Sequence, residues 1–303
     1  MLLECGAEEY GGEVLMIIGG KTFDFDDHFY IMGILNVTPD SFSDGGKYCK
    51  LDDALARVEE MINEGADIID IGGESTRPGY QEISDDFEVY RVAPVIEKIK
   101  SRFDVPISLD TYKYKVARAG IEAGIDMIND IWGLRWDSIN SKGDNPDDNL
   151  DYAMAKEIGK AGIPCCLMHN RHGIDNVDES YVNLIEDVIN DIKDSIDVAC
   201  DFGISKDNII IDPGIGFAKS YEQNLMVMKN LGELCKLGYP VLLGTSNKLL
   251  IGNTLNLPVD DRMEGTIATS VIGYQAGCRI FRVHDVKENY RALKMAEAIA
   301  NAG

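Results

Sequence analysis

The chain lacks any apolar run approaching the roughly 18 residues that a membrane span needs. Over Met1 to Gly12 it also lacks the basic and apolar regions of a secretory signal, so export is not expected. Basic side chains are scarce: 29 Lys and Arg stand against 52 Asp and Glu, for a net charge of −23. A mean field of that sign repels polyanions, which argues against nucleic acid or an anionic membrane as partner. A small phosphate ligand is still allowed, because it feels only the local field of a few Arg, Lys and backbone N–H groups. Most of the acidity reads as a solvated surface. The seven cysteines, at 5, 49, 165, 166, 200, 235 and 278, include no C-x-x-C pair. Reduced, partly buried thiols in a cytoplasmic protein fit this better than a disulfide framework or a zinc site. Also missing are a G-x-G-x-x-G after the first strand and any G-x-x-x-x-G-K-[ST], which weakens dinucleotide and P-loop readings.

What the chain does have is a regular alternation. Hydrophobic residues make up 45% of it, ample for a packed core. Near-continuous runs rich in Ile, Val and Leu predict strands at 30–36, 67–72, 106–110, 126–130, 164–169, 208–212, 240–245 and 278–284. Runs of this kind suit parallel strands covered on both faces. Cys165 and Cys166 are adjacent on one of them and so face opposite ways. Amphipathic segments lie between, as at Asp52 to Ile62, Ser180 to Ala199 and Tyr221 to Leu237. Eight strand–helix pairs in about 250 residues point to an α/β fold of the (β/α)8 TIM-barrel type rather than an open sheet. Residues 13–25 read as an N-terminal β-hairpin with a Gly19-Gly20 turn, covering the barrel bottom. Residues 137–149 read as a polar insertion after the fourth strand. No composition shift marks a second domain, so residues 1–303 read as one domain.

Polar residues stand at the end of nearly every predicted strand: Asn36, Thr76 and Arg77, Asp110, Asn129, His169, Asp212, Ser246 and Lys248, Arg282 and His284. In such a barrel those ends converge on one face, where sites are built. A lone strand-end Asp is more often a turn former than a functional group; convergence from many strands reverses that preference. Asp110 and Asp212 are costly inside a barrel mouth unless paired with donors. An amino-pyrimidinone edge would supply N–H donors to both, and Asn129 can donate and accept. The competing reading pairs each Asp with a neighbouring Lys or Arg. Asp130 points away from Asn129 and reads as structural. Arg282 and His284 are two apart on one strand, hence on one face, and Arg there suits an oxyanion clamp. Asn36 can ligate an oxygen-loving cation such as Mg²⁺, which keeps waters and borrows phosphate oxygens. His169-Asn170-Arg171-His172 fits no strong zinc spacing. Ser246 reads either as a helix N-cap that makes an anion site or as a structural cap, which would leave Lys248 as a surface charge.

Two longer motifs carry a resemblance. Asn36-Val37-Thr38-Pro39-Asp40-Ser41-Phe42-Ser43-Asp44-Gly45-Gly46 follows the first predicted barrel strand, and Asp70-Ile71-Gly72-Gly73-Glu74-Ser75-Thr76-Arg77-Pro78-Gly79 closes the second. With Ser108 to Thr111, Ile128 to Ile131, Leu167 to His169, Ile211 to Phe217, Gly244 to Gly252 and Arg282 to Val286, they resemble the dihydropteroate synthases over essentially residues 13–300. That resemblance implies condensation of (7,8-dihydropterin-6-yl)methyl diphosphate with 4-aminobenzoate, by SN1-like loss of diphosphate, in folate synthesis. It implies that Asp110, Asn129, Asp212 and Lys248 hold the pterin. Asn36, Arg282 and His284 would hold diphosphate with Mg²⁺, bound at Asn36. Phe42, Thr76, Arg77, Pro78, Phe217 and Ser246 would shape the 4-aminobenzoate pocket. Asn36, Asp110, Lys248, Arg282 and His284 would carry the catalysis, in a homodimer.

The chain departs from the family pattern at Ser246-Asn247-Lys248, where the family has Ser-Arg-Lys. Loss of that cation is expected to weaken or alter 4-aminobenzoate recognition without abolishing the reaction. Two alternatives use the same barrel differently. One is a methyltetrahydrofolate:corrinoid methyltransferase, which has no use for Arg282 or His284. The other is a non-catalytic pterin-binding paralogue, which the intact Asn36, Arg77, Lys248, Arg282 and His284 argue against.

Overall fold

Two short strands open the described part of the chain, β1 (Leu15–Ile18) and β2 (Lys21–Asp24), paired antiparallel with Ile18 opposite Lys21. The structure, a computed structural model, describes residues 15–26, 28–37, 47–74, 82–140, 152–171 and 181–302. Gly19 and Gly20 make the hairpin turn at φ +60 and +78, which glycine adopts without a Cβ penalty.

Eight parallel strands follow: β3 (Tyr30–Asn36), β4 (Ile68–Gly72), β5 (Ile107–Asp110), β6 (Met127–Asp130), β7 (Cys165–Met168), β8 (Ile209–Asp212), β9 (Leu242–Leu243) and β10 (Ile280–Val283). They pair in the order β8-β7-β6-β5-β4-β3-β10-β9. One parallel bridge, Ile211 to Val241, joins the two ends, and the Ile211 N–H donates to Pro240 O at 3.0 Å. The sheet is thereby a nearly closed barrel. Helices α1 (Lys47–Glu64), α2 (Asp85–Arg102), α3 (Tyr114–Ala123), α4 (Trp136–Asn140), α5 (Ala153–Ala161), α6 (Leu184–Asp201), α7 (Tyr221–Lys229), α8 (Leu231–Cys235), α9 (Leu249–Leu255), α10 (Met263–Ala276) and α11 (Val286–Ala300) lie between or after the strands.

Period-two alternation splits each strand between two cores. Outward residues such as Ile31, Ile69, Leu109, Leu167 and Phe281 join the helices in one cluster. Inward residues of the lower barrel, including Met32, Ile68, Met127, Ile210 and Ile280, join Met16, Ile18 and Phe23 of the hairpin in another. Cys165 falls in the first cluster and Cys166 in the second, as adjacent strand residues must. The hairpin therefore supplies apolar surface beneath the barrel that the short strands alone would leave wet.

The structure modifies three readings of the sequence. Strand β9 spans Leu242–Leu243 rather than 240–245: Pro240 has no N–H to give a ladder, and Val241 makes only an isolated bridge to Ile211. The helix expected over Tyr221 to Leu237 breaks at Asn230, which sits at φ −112, ψ 20 and returns its Nδ2 to Met226 O at 2.7 Å. The 137–149 insertion begins as helix α4, and its remaining residues lie outside the described ones.

Candidate active site

Higher in the barrel the inward positions turn polar. Sheet register sets Asn36 beside Gly72, Gly72 beside Asp110, and Asp110 beside Asn129. The glycine opens the space between them. A Cβ on Gly72 would lie 3.6 Å from Asn36 Oδ1 and 3.8 Å from Asp110 Oδ2. Gly244 plays the same part opposite, since a Cβ there would lie 3.8 Å from Asp212 Oδ2, 3.9 Å from Lys248 Nζ and 3.9 Å from Arg282 Cβ. Groups from β3, β5, β8, β10 and the segment after β9 thus converge on one cradle.

Arg282 is the hub. Its Nε donates to Asp70 Oδ2 at 2.6 Å and its Nη2 to Asp110 Oδ2 at 2.5 Å. Asn129 Nδ2 donates to the same Asp70 oxygen at 3.3 Å. The pairing of a strand Asp with an Arg, the competing reading of the sequence, therefore holds for Asp110. It leaves Asp110 Oδ1 buried without a hydrogen-bond partner, along with Asp70 Oδ1 and Ser108 Oγ. Burial raises the Asp110 carboxyl, Arg282 pulls it back, and the nearby Asp70 charge raises it again. Arg282 is held protonated: burial opposes its charge, but Asp70 and Asp110 outweigh that.

Asp212 and Lys248 face one another across the cradle. Asp212 Oδ1 accepts the Gly214 N–H at 2.7 Å. Burial raises its carboxyl and Lys248 opposes the rise. Burial lowers Lys248 to about 8, with Asp212 drawing it upward. The Lys248 ammonium donates to Ile215 O at 2.5 Å and sits 4.8 Å over the Phe217 ring. Phe217 also packs against an aromatic cluster of Tyr112, Trp132 and Trp136 with Ile131 and Met168. This is a flat-sided apolar wall beside the charged cradle.

Ser246 is not the helix N-cap. Lys248 holds that position for α9, whose first residue is Leu249. Ser246 Oγ instead accepts the His284 N–H at 3.1 Å and lies 2.9 Å from His284 Nδ1. One hydroxyl thus ties both the backbone and the imidazole of His284 to the segment after β9. Asn247, at φ +56, is in the left-handed region that asparagine tolerates better than most residues. Its carbonyl accepts from Arg262 Nη1 at 2.8 Å.

Phe42, Thr76, Arg77 and Pro78 lie outside the described residues. The ends of the segment bearing the last three are tied together. Ile83 N–H donates to Glu74 Oε2 at 2.8 Å, and Lys113 Nζ donates to that same oxygen and to Ile83 O, each at 2.7 Å.

His169 bridges two charged side chains. Its Nε2 pairs with Asp191 Oδ2 at 2.9 Å and its Nδ1 with Lys219 Nζ at 2.8 Å. Burial and Lys219 lower the imidazole to about 4, so it is neutral. Lys219, itself lowered to about 7 by burial, also donates to Gly214 O and Phe217 O, fixing the segment that carries Phe217. Gly214 is required there, because a Cβ would stand 1.9 Å from His169 O. Among the described residues no group of three His, Cys, Asp or Glu could hold a metal ion. Asp130 is structural: its oxygens accept the N–H groups of Trp132 and Leu134 at 2.8 and 2.7 Å. Sequence reasoning passed over Asp70, Lys219 and the Tyr112, Trp132 and Trp136 rings beside Phe217. Asp70 shares strand parity with Gly72, which was the available signal.

Comparison with known proteins agrees with this geometry. Residues 32–284 match the family model for pterin binding enzymes. The chain is 55% identical over 285 residues to the dihydropteroate synthase of Clostridium beijerinckii, covering 94% of this chain and 99% of that protein. It is 50% identical over 283 residues to the Bacillus subtilis dihydropteroate synthase, covering 93% of each. A crystal structure of the Clostridium difficile enzyme in the presence of pteroic acid aligns with a TM-score of 0.84 at 47% identity, covering 92% of this chain and all of that one. The Xanthomonas albilineans enzyme with 4-aminobenzoic acid aligns at 0.85 and 35% identity, covering 96% of this chain and 100% of that one. A buried carboxylate–guanidinium cradle, a buried lysine over an aromatic ring and these matches across nearly the whole chain together place the protein in the dihydropteroate synthase family of pterin-binding enzymes.

Proposed function

We propose that this chain condenses (7,8-dihydropterin-6-yl)methyl diphosphate with 4-aminobenzoate, giving 7,8-dihydropteroate and diphosphate, and that its buried cradle ionises the pterin diphosphate before the amine attacks. The observation that carries the site assignment is the unpartnered Asp110 Oδ1, buried beside Asn129 and across from Asp212 and Lys248. Such an acceptor is costly unless a ligand donates to it. An amino-pyrimidinone edge offers that donor. Asp110, Asn129, Asp212 and Lys248 hold the pterin.

Arg282, His284 and Asn36 hold the diphosphate. Asp70 and Asp110 occupy two of the five guanidinium N–H groups of Arg282, which leaves three for phosphate oxygens. Phe217 and Ser246, with Phe42, Thr76, Arg77 and Pro78, shape the 4-aminobenzoate pocket. Asn36 would hold a Mg²⁺ through one neutral oxygen, a donor type that suits this hard cation. When bound, the ion spreads the negative charge of the leaving diphosphate. No nucleophilic side chain is required. As the carbon–oxygen bond breaks, Arg282 stabilises the departing charge and Asp110 and Asp212 the cation left on the pterin. The 4-aminobenzoate nitrogen then bonds to the pterin methylene and gives its proton to the released diphosphate.

The working unit is a single pterin-binding domain that functions as a cytoplasmic homodimer. No helix among the described residues is long and apolar enough to cross a membrane. Exposed Leu249 and Leu255 on α9 and Met263 on α10 offer apolar surface to a second copy. Sedimentation of a monomer at micromolar concentration would remove the dimer. The central test is diphosphate release from the pterin diphosphate with Mg²⁺. Release that requires 4-aminobenzoate and yields dihydropteroate supports the reading; no release despite pterin binding sinks it.

A further inference from the structure

We propose that Asp70 is a positioning residue of this site: through its Oδ2 it sets the aim of Arg282 and Asn129. The inference rests on the reading of Arg282 and Asn129 as substrate-binding groups.

Asp70 lies within β4, fully buried, two residues below the strand end at Gly72. Its inward neighbour one step down is Ile68, part of the apolar floor. An ionised carboxylate at such a depth is costly, and an apolar residue of similar size would serve stability at least as well. The carboxylate therefore needs a reason beyond stability. One Asp70 oxygen, Oδ2, receives two donors, Arg282 Nε at 2.6 Å and Asn129 Nδ2 at 3.3 Å.

The Nε contact fixes where the guanidinium sits, and the Nη2 contact to Asp110 on the neighbouring strand fixes its rotation. The fork is left with one orientation for its remaining N–H groups. The contact to Asn129 decides which way that amide is turned, leaving its Oδ1 for the ligand. A single carboxylate thus orients one group for the diphosphate and one for the pterin.

Charge gives the same answer from a different observation. Asp70 and Asp110 share the single cation Arg282, and each keeps one buried oxygen without a partner. The groups that act on Asp110 are Arg282 from β10, Asp70 from β4, Asp130 from β6, Glu88 from α2 and Lys248 before α9. Among the carboxylates Asp70 raises Asp110 most. Removing the Asp70 charge makes Asp110 easier to ionise.

The test is Asp70→Asn in the full-length protein, which keeps size and one acceptor oxygen and removes the charge. The expected result is a kcat/KM for the pterin diphosphate lower by roughly 10- to 100-fold, the value of a charge-assisted hydrogen bond reduced to a neutral one. The KM for 4-aminobenzoate stays within about twofold, since the second substrate does not meet these groups. The acid limb of the kcat/KM profile moves to lower pH, a displacement that a merely structural role would not produce. In an Arg282→Gln background the Asp70→Asn effect shrinks, because of the two groups it positions only Asn129 remains. Asp70→Ser reads the same quantities should the asparagine variant fail to fold. Unchanged kcat/KM in Asp70→Asn, or a loss that is fully additive with Arg282→Gln and leaves the pH profile in place, overturns the inference. The underlying reading fails separately, and visibly, if Arg282→Gln alone leaves kcat/KM unaltered.

Discussion

The lower and upper halves of the barrel are built from the same strands and the same inward face, yet they follow opposite rules. Below, Met32, Ile68, Met127, Ile210 and Ile280 meet the hairpin in a closed apolar layer. Above, two to four residues further along each strand, stand Asn36, Asp70, Asp110, Asn129, Asp212 and Arg282. The lower layer gains free energy from burial. The upper layer keeps buried oxygens unpartnered and, with Lys248 beside it, holds a lysine below its usual protonation range. Depth along the strand therefore separates stability from function, with only one pleat of backbone between them.

The sharpest way to break this comparison is from below. Phe23→Ala removes a nearly buried ring from the hairpin side of the floor, and the expected cost is about 3–5 kcal/mol of stability. At a temperature where the variant is folded, kcat stays near that of the parent; a chemical denaturation curve and a rate at low temperature check both halves of the statement. The complementary change from above is Lys248→Met. Its expected outcome is a loss of kcat/KM of about a hundredfold or more, with a melting temperature unchanged or raised, because an ionisable group leaves a buried position. A large fall in melting temperature for Lys248→Met would erase the division.

A smaller change should fill the cradle. Gly244→Ala puts a methyl at ordinary contact distance from Asp212, Lys248 and Arg282, so the fold tolerates it. Titration calorimetry with the pterin is expected to show affinity lower by about tenfold or more, the ligand having lost its space.

The pH dependence of the ligand-free protein sharpens the comparison. Burial raises Asp67 to about 6, Asp137 to about 6 and Asp130 to about 7. The folded form then holds protons that the unfolded chain releases at about 4, so these groups make stability fall as pH rises from about 4 to about 7. Lys219, at about 7, and Lys248, at about 8, act in the opposite sense. The unfolded chain keeps those protons to about 10, so their part of the stability rises from about 7 toward about 10. The melting temperature should pass through a minimum near neutrality, and Lys248→Met should flatten its alkaline side. A monotonic profile would contradict these assignments.

The smallest expected effect is at Asn247. Asn247→Arg restores the family's cation in a backbone conformation that costs arginine about 1–2 kcal/mol. The KM for 4-aminobenzoate is expected to fall by a few fold while that for the pterin diphosphate holds. An unchanged KM for 4-aminobenzoate would show that this position does not tune the second substrate.

Much of the barrel was legible in the chain because parallel strands announce themselves as apolar runs. Each of the eight predicted runs contains one of the observed strands, and the Gly19-Gly20 turn stands where its residues demand. Asp110, Asn129, Asp212, Lys248 and Arg282 were visible as polar residues closing apolar runs, and they do meet. Asp70 was passed over for the reason that makes it interesting: it sits inside a run instead of at its end, and its partner Arg282 is 212 residues away. No local pattern encodes a contact at that separation. The relay from Asp191 through His169 to Lys219 was hidden likewise, since Lys219 lies 50 residues from His169. The break at Asn230 depends on a single side chain acting against a favourable local pattern.

The pairing of β10 with β3 has a consequence for how the chain comes into being. On a ribosome, β3 emerges well before its partner Ile280–Val283. Until then the edge of β3 is bare, and the carboxylates of Asp70 and Asp110 are without their guanidinium. Arg282 arrives on the strand that seals the ring, so closure and neutralisation happen together. A nascent chain stalled before residue 280 carries an open edge and uncompensated buried charge at once, two marks of an unfinished protein. The residue that gathers both carboxylates also signs off the completed barrel.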